Sequence, residues 1–167
     1  PDTALQLPTR HLEGYLAAGV ARTSSSNTFT LGEHIDLFVH HLYGSLAYED
    51  FSRWDVRLAS GTAGYLLRPR GPLAGGVTLG YRRATGTGAE DALLIGLPLV
   101  FGSERAAMWF EATYAISHSG VSWGYRFQSD LYALPRPFFA GLRVEAQPLR
   151  HGGDYVATVA LLVGVQQ

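Results

Sequence analysis

Every second residue is apolar along most of the chain between positions 12 and 165. In the last such segment, Tyr155, Ala157 and Val159 alternate with Val156 and Thr158. Successive side chains of a β-strand point to opposite faces, so this period of two predicts strands with one continuous apolar face. The pattern occurs in eight segments, at residues 12–22, 54–66, 76–83, 91–101, 108–117, 121–128, 138–147 and 155–165.

The connections between these segments are short and rich in glycine, proline and serine. Short links of this kind join antiparallel neighbours, because parallel strands need a long crossover. A meander of eight strands removes its two unpaired edges by closing on itself. We therefore predict an all-β, antiparallel up-and-down β-barrel of about eight strands. It forms a single domain over residues 1–167, with residues 1–10 as an extended lead-in.

Residues 24–53 form a long insertion after the first strand and depart from the alternation. Apolar residues recur there at helical spacing, which favours a short helix near residues 33–47, although a strand remains an alternative. A long excursion within a compact domain is usually functional. We expect this segment to contact a protein partner through four of its apolar residues: Ile35, Phe38, Val39 and Leu42.

Composition excludes several function classes. Charged residues make up 16% of the 167 residues, against about 25% in an ordinary soluble domain. The net charge of −1 gives no reason to expect nucleic-acid binding. The chain has no cysteine, which excludes disulfides and thiolate-bound metals, and it has no apolar run of the roughly 20 residues that a membrane helix needs.

Alternation alone does not decide whether the apolar face lines the barrel or covers it. The second face carries many small residues, which suit a narrow lumen, and charges of both signs, which could pair there as arginine–carboxylate bridges. Several apolar stripes run about 9–11 residues, the length of a tilted membrane strand. These features favour a membrane barrel with a charge network in its lumen. The six predicted members are Glu13, Arg57, Glu111, Arg126, Arg143 and Glu145.

This pattern of alternating strands, tight turns and a charged lumen resembles the small eight-stranded outer-membrane β-barrels of Gram-negative envelopes. The resemblance is architectural and covers roughly residues 12–165. It implies an outer-membrane location and contact with membrane lipid. We expect a non-enzymatic anchor, scaffold or accessory subunit of an envelope complex, with other envelope proteins bound through residues 24–53.

Two other functions remain open on the sequence. The first is a soluble barrel of the lipocalin or fatty-acid-binding type, whose apolar stripes would line a cavity for a lipid or another hydrophobic ligand. The second is a membrane-embedded lipid-modifying enzyme that uses His118 and Ser119 or the lumen carboxylates. Asp36 and His40 have helical i, i+4 spacing but no third metal ligand. We therefore predict no catalytic residue, no metal and no cofactor.

Overall fold

The computed structural model of the chain describes residues 10–67, 73–86, 89–102, 106–132, 137–148 and 155–166. These residues form one closed barrel, in which strands that are consecutive in sequence pair side by side. The last strand pairs antiparallel with the first, and this pairing closes the sheet. Of the predicted lead-in, residues 1–9 lie outside the described part, and Arg10 begins the first strand.

The barrel has ten strands rather than about eight. All are long enough to cross the apolar part of a membrane when tilted. None of the described segments is a helix that could span a membrane. The strands are β1 (Arg10–Arg22), β2 (Asn27–Val39), β3 (Leu42–Phe51), β4 (Val56–Leu67), β5 (Leu73–Thr85), β6 (Ala92–Gly102), β7 (Ala106–Ser117), β8 (Gly120–Leu131), β9 (Phe138–Pro148) and β10 (Tyr155–Gln166).

The two additional strands replace the predicted helix, which is wrong. β2 and β3 form a hairpin in which Val39 pairs with Leu42 across the two-residue turn His40–His41, and His40 has a φ of 58°. Odd-numbered residues face outward in β2, whereas even-numbered residues face outward in β3. This change of parity places outward apolar residues at 35, 39, 42 and 46, a spacing that imitates one face of a helix.

The predicted apolar stripes lie on the outside of the barrel, except in β4, where Val56 and Leu58 are buried inside and the opposite face points outward. Leu16, Leu67 and Leu161 are each about two-thirds exposed, at 64%, 65% and 69%. A continuous apolar surface of this extent is not stable in water, but it is the surface that a transmembrane barrel presents to lipid. This orientation excludes the soluble lipid-binding barrel, whose apolar stripes would face inward.

Candidate functional site

An apolar cluster lies in the lumen toward each end of the barrel. We name these ends after their turns: the His40 end, with the β2–β3 turn, and the Trp54 end, with the β3–β4 turn. At the His40 end, Phe38 packs against a buried cluster that includes Tyr43 and Trp109. At the Trp54 end, Trp54 packs against a buried cluster that includes Phe51. The polar lumen residues lie between these clusters, and most of them are buried.

Arg143 is the centre of a polar network at mid-height. It lies on β9, its side chain is 1% exposed, and its Nη2 donates to Glu49 on β3. Its Nη1 contacts the imidazole of His34 on β2, and its Nε lies 3.7 Å from Glu145. Because β9 is not a neighbour of β2 or β3, the contacts with Glu49 and His34 cross the lumen and join opposite walls, whereas Glu145 lies on β9 itself. Tyr15 stacks on the His34 ring with a centroid distance of 4.8 Å.

The network extends from Glu49 toward β5. Gln147 donates through Nε2 to Glu49 Oε2 at 3.1 Å and accepts at Oε1 from Arg82 Nη1 at 3.2 Å. Arg82 is 5% exposed, and no described carboxylate lies within ion-pair distance of it. A single hydrogen-bonded chain thus connects β5, β9, β3 and β2.

A second ion pair lies on the β7–β8 wall. Arg126 Nη2 is 2.7 Å from Glu111 Oε2, and the two residues are direct cross-strand partners. Thr78 donates to Glu111 Oε1 at 3.0 Å. A Cβ atom at Gly96 would collide with both the Thr78 hydroxyl and the Glu111 carboxylate, so this contact requires glycine there. The Arg126 guanidinium also lies 5.7 Å from the centroid of the Trp109 ring.

Carboxylates gather toward the His40 end of the lumen. Glu13 and Asp36 are direct partners across β1 and β2, and both are buried. Neutral donors hold them: the Tyr132 hydroxyl donates to Glu13 at 2.8 Å, and the Tyr43 hydroxyl donates to Asp36 at 3.1 Å. Asp130 is buried in the same way and accepts two hydrogen bonds from the Gln128 amide, at 3.2 and 3.0 Å.

A cavity of about 80 Å³ lies beside the two arginine networks. It has room for a few water molecules, since one water needs roughly 10–15 Å³ of such volume. Small side chains form much of its wall, and this explains why the lumen is not filled on that side. Its lining includes Ser60, Thr62, Arg82, Thr113, Arg126 and Glu145.

Five of the six predicted network residues face the lumen. Glu111 and Arg126 form one ion pair, Arg143 and Glu145 are 3.7 Å apart, and Glu13 lies in the acidic group. Arg57 does not belong to this network, and its predicted position was wrong. Its side chain is 57% exposed on the outer surface near the Trp54 end, with Nε 3.3 Å from an Asp50 carboxyl oxygen.

Several lumen residues were missed by the sequence analysis. His34, Asp36 and Glu49 were hidden by the helix assignment, because their inward direction follows only from the β2–β3 hairpin. The inward direction of Arg82 and Asp130 could have been predicted from the alternation, because each has the parity of the inward face on a predicted strand or on its extension.

The four residues predicted for partner contact lie in the β2–β3 hairpin. Ile35 and Leu42 point outward and are 52% and 61% exposed, and Val39 is half-buried beside the turn. Phe38 instead points inward, with its ring 4.9 Å from Tyr43 and 5.9 Å from Trp109 between centroids. The structure therefore brings three of them to the outer surface and one into the lumen.

Polar side chains at the Trp54 end form a separate group outside the membrane-spanning part. Asp91 accepts hydrogen bonds from the Tyr81 hydroxyl and the Ala84 N–H, both at 2.7 Å, and these bonds hold the pKa of its carboxyl below the usual value. The Ser119 hydroxyl donates to Glu90, which likewise lowers the pKa of the Glu90 carboxyl. These bonds fasten the β5–β6 loop to its surroundings.

Solved structures with a similar fold are outer-membrane barrels. The COG4313 outer membrane channel from Pseudomonas putida F1 is 9% identical, with a TM-score of 0.55, over 100% of this chain and 99% of that one. The N-terminal β-barrel domain of Pseudomonas aeruginosa OprF is 17% identical, with a TM-score of 0.45, over 93% of this chain and 97% of that one. Neisserial surface protein A is 13% identical, with a TM-score of 0.39, over 95% and 97%. No protein-family model and no curated protein sequence matches the chain.

The fold and the outer surface together define the class of protein. At these identities the comparison bears on the fold, and the likeness to the Pseudomonas putida channel shows the fold of an outer-membrane β-barrel. The closed sheet leaves no strand edge unpaired in lipid, and most of the outward side chains are apolar. The chain is thus an outer-membrane β-barrel protein of the Gram-negative type, and the predicted class and location are confirmed.

Proposed function

We propose that the chain is a non-conducting, non-enzymatic barrel that serves as a membrane anchor, scaffold or accessory subunit of an envelope complex. The observation that carries this proposal is that side chains occupy the lumen except for one cavity of about 80 Å³. Arg143 reaches across the lumen at mid-height, and clusters that contain aromatic residues narrow the lumen toward both ends. A barrel whose interior is occupied by side chains offers no continuous water path.

The lumen contacts are suited to rigidity rather than to transport. Contacts from Arg143 and Gln147 to Glu49 tie β9 to β3, so the two walls cannot separate without breaking buried charge-assisted hydrogen bonds. Breaking such bonds is costly because each charge would be left unpaired in a low-dielectric interior. A rigid, closed barrel is what an anchor or scaffold requires.

A gated channel is the second candidate. It is favoured by the fold shared with the Pseudomonas putida outer membrane channel and by the cavity beside Arg82 and Arg126. Conduction would require the cavity to extend through both apolar clusters. That extension would displace Trp109 at one end and Phe51 at the other, and both are buried and packed.

We assign no catalytic role to His118 and Ser119. They occupy the two-residue turn between β7 and β8, and the Ser119 hydroxyl is engaged with the Glu90 carboxylate. A serine nucleophile needs a neighbouring base to take its proton and donors that stabilise an oxyanion. A bond to a carboxylate on an exposed loop fastens the turn instead.

We propose that partner proteins of the envelope bind through the β2–β3 hairpin, residues 27–51. Its outer surface carries Ile35 and Leu42, two of the residues expected to make this contact from the sequence. Membrane lipid covers the rest of the apolar surface in the same way as it covers other transmembrane barrels.

Planar-bilayer recording tests the filled lumen directly. We expect the purified barrel, folded in detergent and inserted into the bilayer, to give no discrete conductance steps across a wide voltage range. The physical reason is that the apolar clusters and the contacts of Arg143 interrupt a water column through the lumen. A large water-filled porin recorded in the same bilayers is the positive control. Reproducible unitary steps from the folded protein would contradict the anchor and favour the channel.

A further inference from the structure

Glu33 places a carboxyl group in the middle of the lipid-facing surface. It is the central residue of the 13-residue strand β2, it points outward, and it is exposed. Its outward neighbours on the same strand are Leu31 and Ile35, both more than half exposed. Within the part of the chain that the structure describes, its carboxyl group has no hydrogen-bond or ion-pair partner. Ionisable groups at this depth are rare and usually indicate a functional site.

The adjacent strand carries a potential donor at the same level. Tyr48 on β3 is the direct cross-strand partner of Glu33, so the two residues lie at nearly the same depth. Tyr48 also faces outward, is 42% exposed, and donates no hydrogen bond to any described residue. The outward side chains of β2 and β3 lie next to each other on the sheet and point away from the barrel. Each polar group is therefore available to something that approaches from the lipid.

We propose that the outer face of β1–β4 is an interface for a second copy of this chain, inserted in the same orientation. A two-fold axis along the membrane normal lies outside the barrel, in front of the seam between β2 and β3. Rotation about this axis keeps each residue at its depth and places β2 of each copy opposite β3 of the other. Glu33 of one copy then faces Tyr48 of the second copy, and the reverse contact forms as well. The two Tyr48 hydroxyls donate to the two Glu33 carboxyl groups, as an isologous interface requires.

The shapes of the flanking strands agree with this arrangement. The same axis places β1 of one copy opposite β4 of the second. β4 presents only small residues at three successive outward positions, Ala59, Gly61 and Ala63. β1 presents Leu16, which is 64% exposed and is paired in register with Glu33. A leucine that projects into a small-residue surface lets the two sheets approach closely, which is how membrane interfaces gain packing energy.

A second copy fits this face better than lipid does. An acyl chain could fill the space above the small residues, but it offers no donor to Glu33 and no acceptor to Tyr48. The chain itself carries both halves of the polar contact at one depth, on neighbouring strands. This complementarity does not depend on whether the lumen conducts, so the interface stands or falls separately from the proposed non-conducting lumen. Because the interface covers the outer surface of the β2–β3 hairpin, the envelope protein that binds this hairpin is here a second copy of the chain.

Energy transfer between labelled copies in liposomes tests the interface. The chain has no cysteine, so the substitution Ser52→Cys, in the exposed β3–β4 turn, provides one site for a donor or an acceptor dye. Two variants remove the polar contact, Glu33→Leu and Tyr48→Phe. The matched control is Tyr125→Phe, an outward tyrosine on β8 at the far side of the barrel that is 52% exposed. Heat-dependent gel migration verifies that each variant is folded.

We expect the unaltered chain and the Tyr125→Phe control to dimerise alike. Loss of two reciprocal hydrogen bonds in each variant should weaken its dimer on the order of tenfold. A mixture of Glu33→Leu with Tyr48→Phe retains one bond per pair, so it should dimerise more tightly than either variant alone. Monomeric behaviour of the unaltered chain, unchanged dimerisation of both variants, or no gain in the mixture would overturn the proposal. Glu33 would then be a carboxyl group in contact with lipid only.

Discussion

Replacing Arg143 with methionine is expected to lower the free energy of unfolding by about 3–5 kcal/mol, the cost of breaking a buried ion pair from one side. Arg143 is 1% exposed in its side chain, contacts Glu49 and His34 across the lumen, and lies 3.7 Å from Glu145 on its own strand. Its loss leaves the Glu49 carboxylate buried without its main cation. Urea-induced unfolding of the barrel in lipid vesicles measures the change.

Arg57→Met is the matched control for this variant. Arg57 also pairs with a carboxylate, Asp50, but its side chain is 57% exposed on the outer surface. Exposed ion pairs contribute about 0–1 kcal/mol, so the control should unfold almost like the unaltered chain. In the double variant Arg143→Met with Glu49→Leu, part of the lost stability should return, because no uncompensated carboxylate remains at position 49. Equal effects of the Arg143 and Arg57 variants would show that the lumen network does not stabilise the barrel.

Replacing Leu161 with arginine should destabilise the folded barrel in bilayers by about 2–4 kcal/mol, the cost of a cation near the membrane midplane. Leu161 lies in the middle of β10 and is 69% exposed on the outer surface. The same substitution on the surface of a water-soluble barrel would change stability by about 0.5 kcal/mol or less. Unfolding in vesicles measures the free energy directly.

Tyr155→Arg is the control for depth. Tyr155 begins β10 and is 48% exposed, so an arginine there reaches the water at the membrane boundary. We expect a cost of about 0–1 kcal/mol at this position. A small effect at Leu161, or an equal effect at both positions, would contradict the lipid-facing assignment of the apolar stripes.

Most strands could be predicted because the barrel imposes a period of two on every segment that crosses the membrane. The alternation in β10 determines which residues face lipid and which face the lumen, and the structure agrees along its whole length. The same rule identified the inward direction of Arg126 and Arg143. Local sequence was sufficient to predict these directions because each strand has lipid on one face and the lumen on the other.

The hairpin and one face of β4 could not be assigned in this way. In β2 and β3 the two-residue turn shifts the parity, so outward apolar residues on two strands have the spacing of one helix. In β4 the small residues Ala59 and Gly61 suggested a crowded lumen, but they face lipid, and Ser60 and Thr62 face the lumen. The hydroxyl groups of Ser60 and Thr62 are stabilised more by the polar lumen than Ala59 and Gly61 would be, so the even-numbered residues of β4 face inward. Arg57 has the opposite parity and therefore faces outward.

Contacts across the lumen depend on the closed barrel rather than on local sequence. The bond between Arg143 and Glu49 joins residues 94 positions apart on strands that are not neighbours. Its existence depends on the number of strands and on their registers, which together set how far apart the walls are. An account with eight strands and a helix at residues 33–47 has no Glu49 in the lumen.

Fluorescence quenching by lipids brominated in their acyl chains tests the central claim, that the apolar face meets lipid and the charged face lines the lumen. Trp123 is 48% exposed on the outer surface, whereas Trp109 is 8% exposed inside the barrel. The double variant Trp54→Phe with Trp109→Phe retains only Trp123, and the double variant Trp54→Phe with Trp123→Phe retains only Trp109. We predict strong quenching of the variant that retains Trp123 and little quenching of the variant that retains Trp109. Strong quenching of Trp109 with an unaffected Trp123 would contradict this orientation of the barrel.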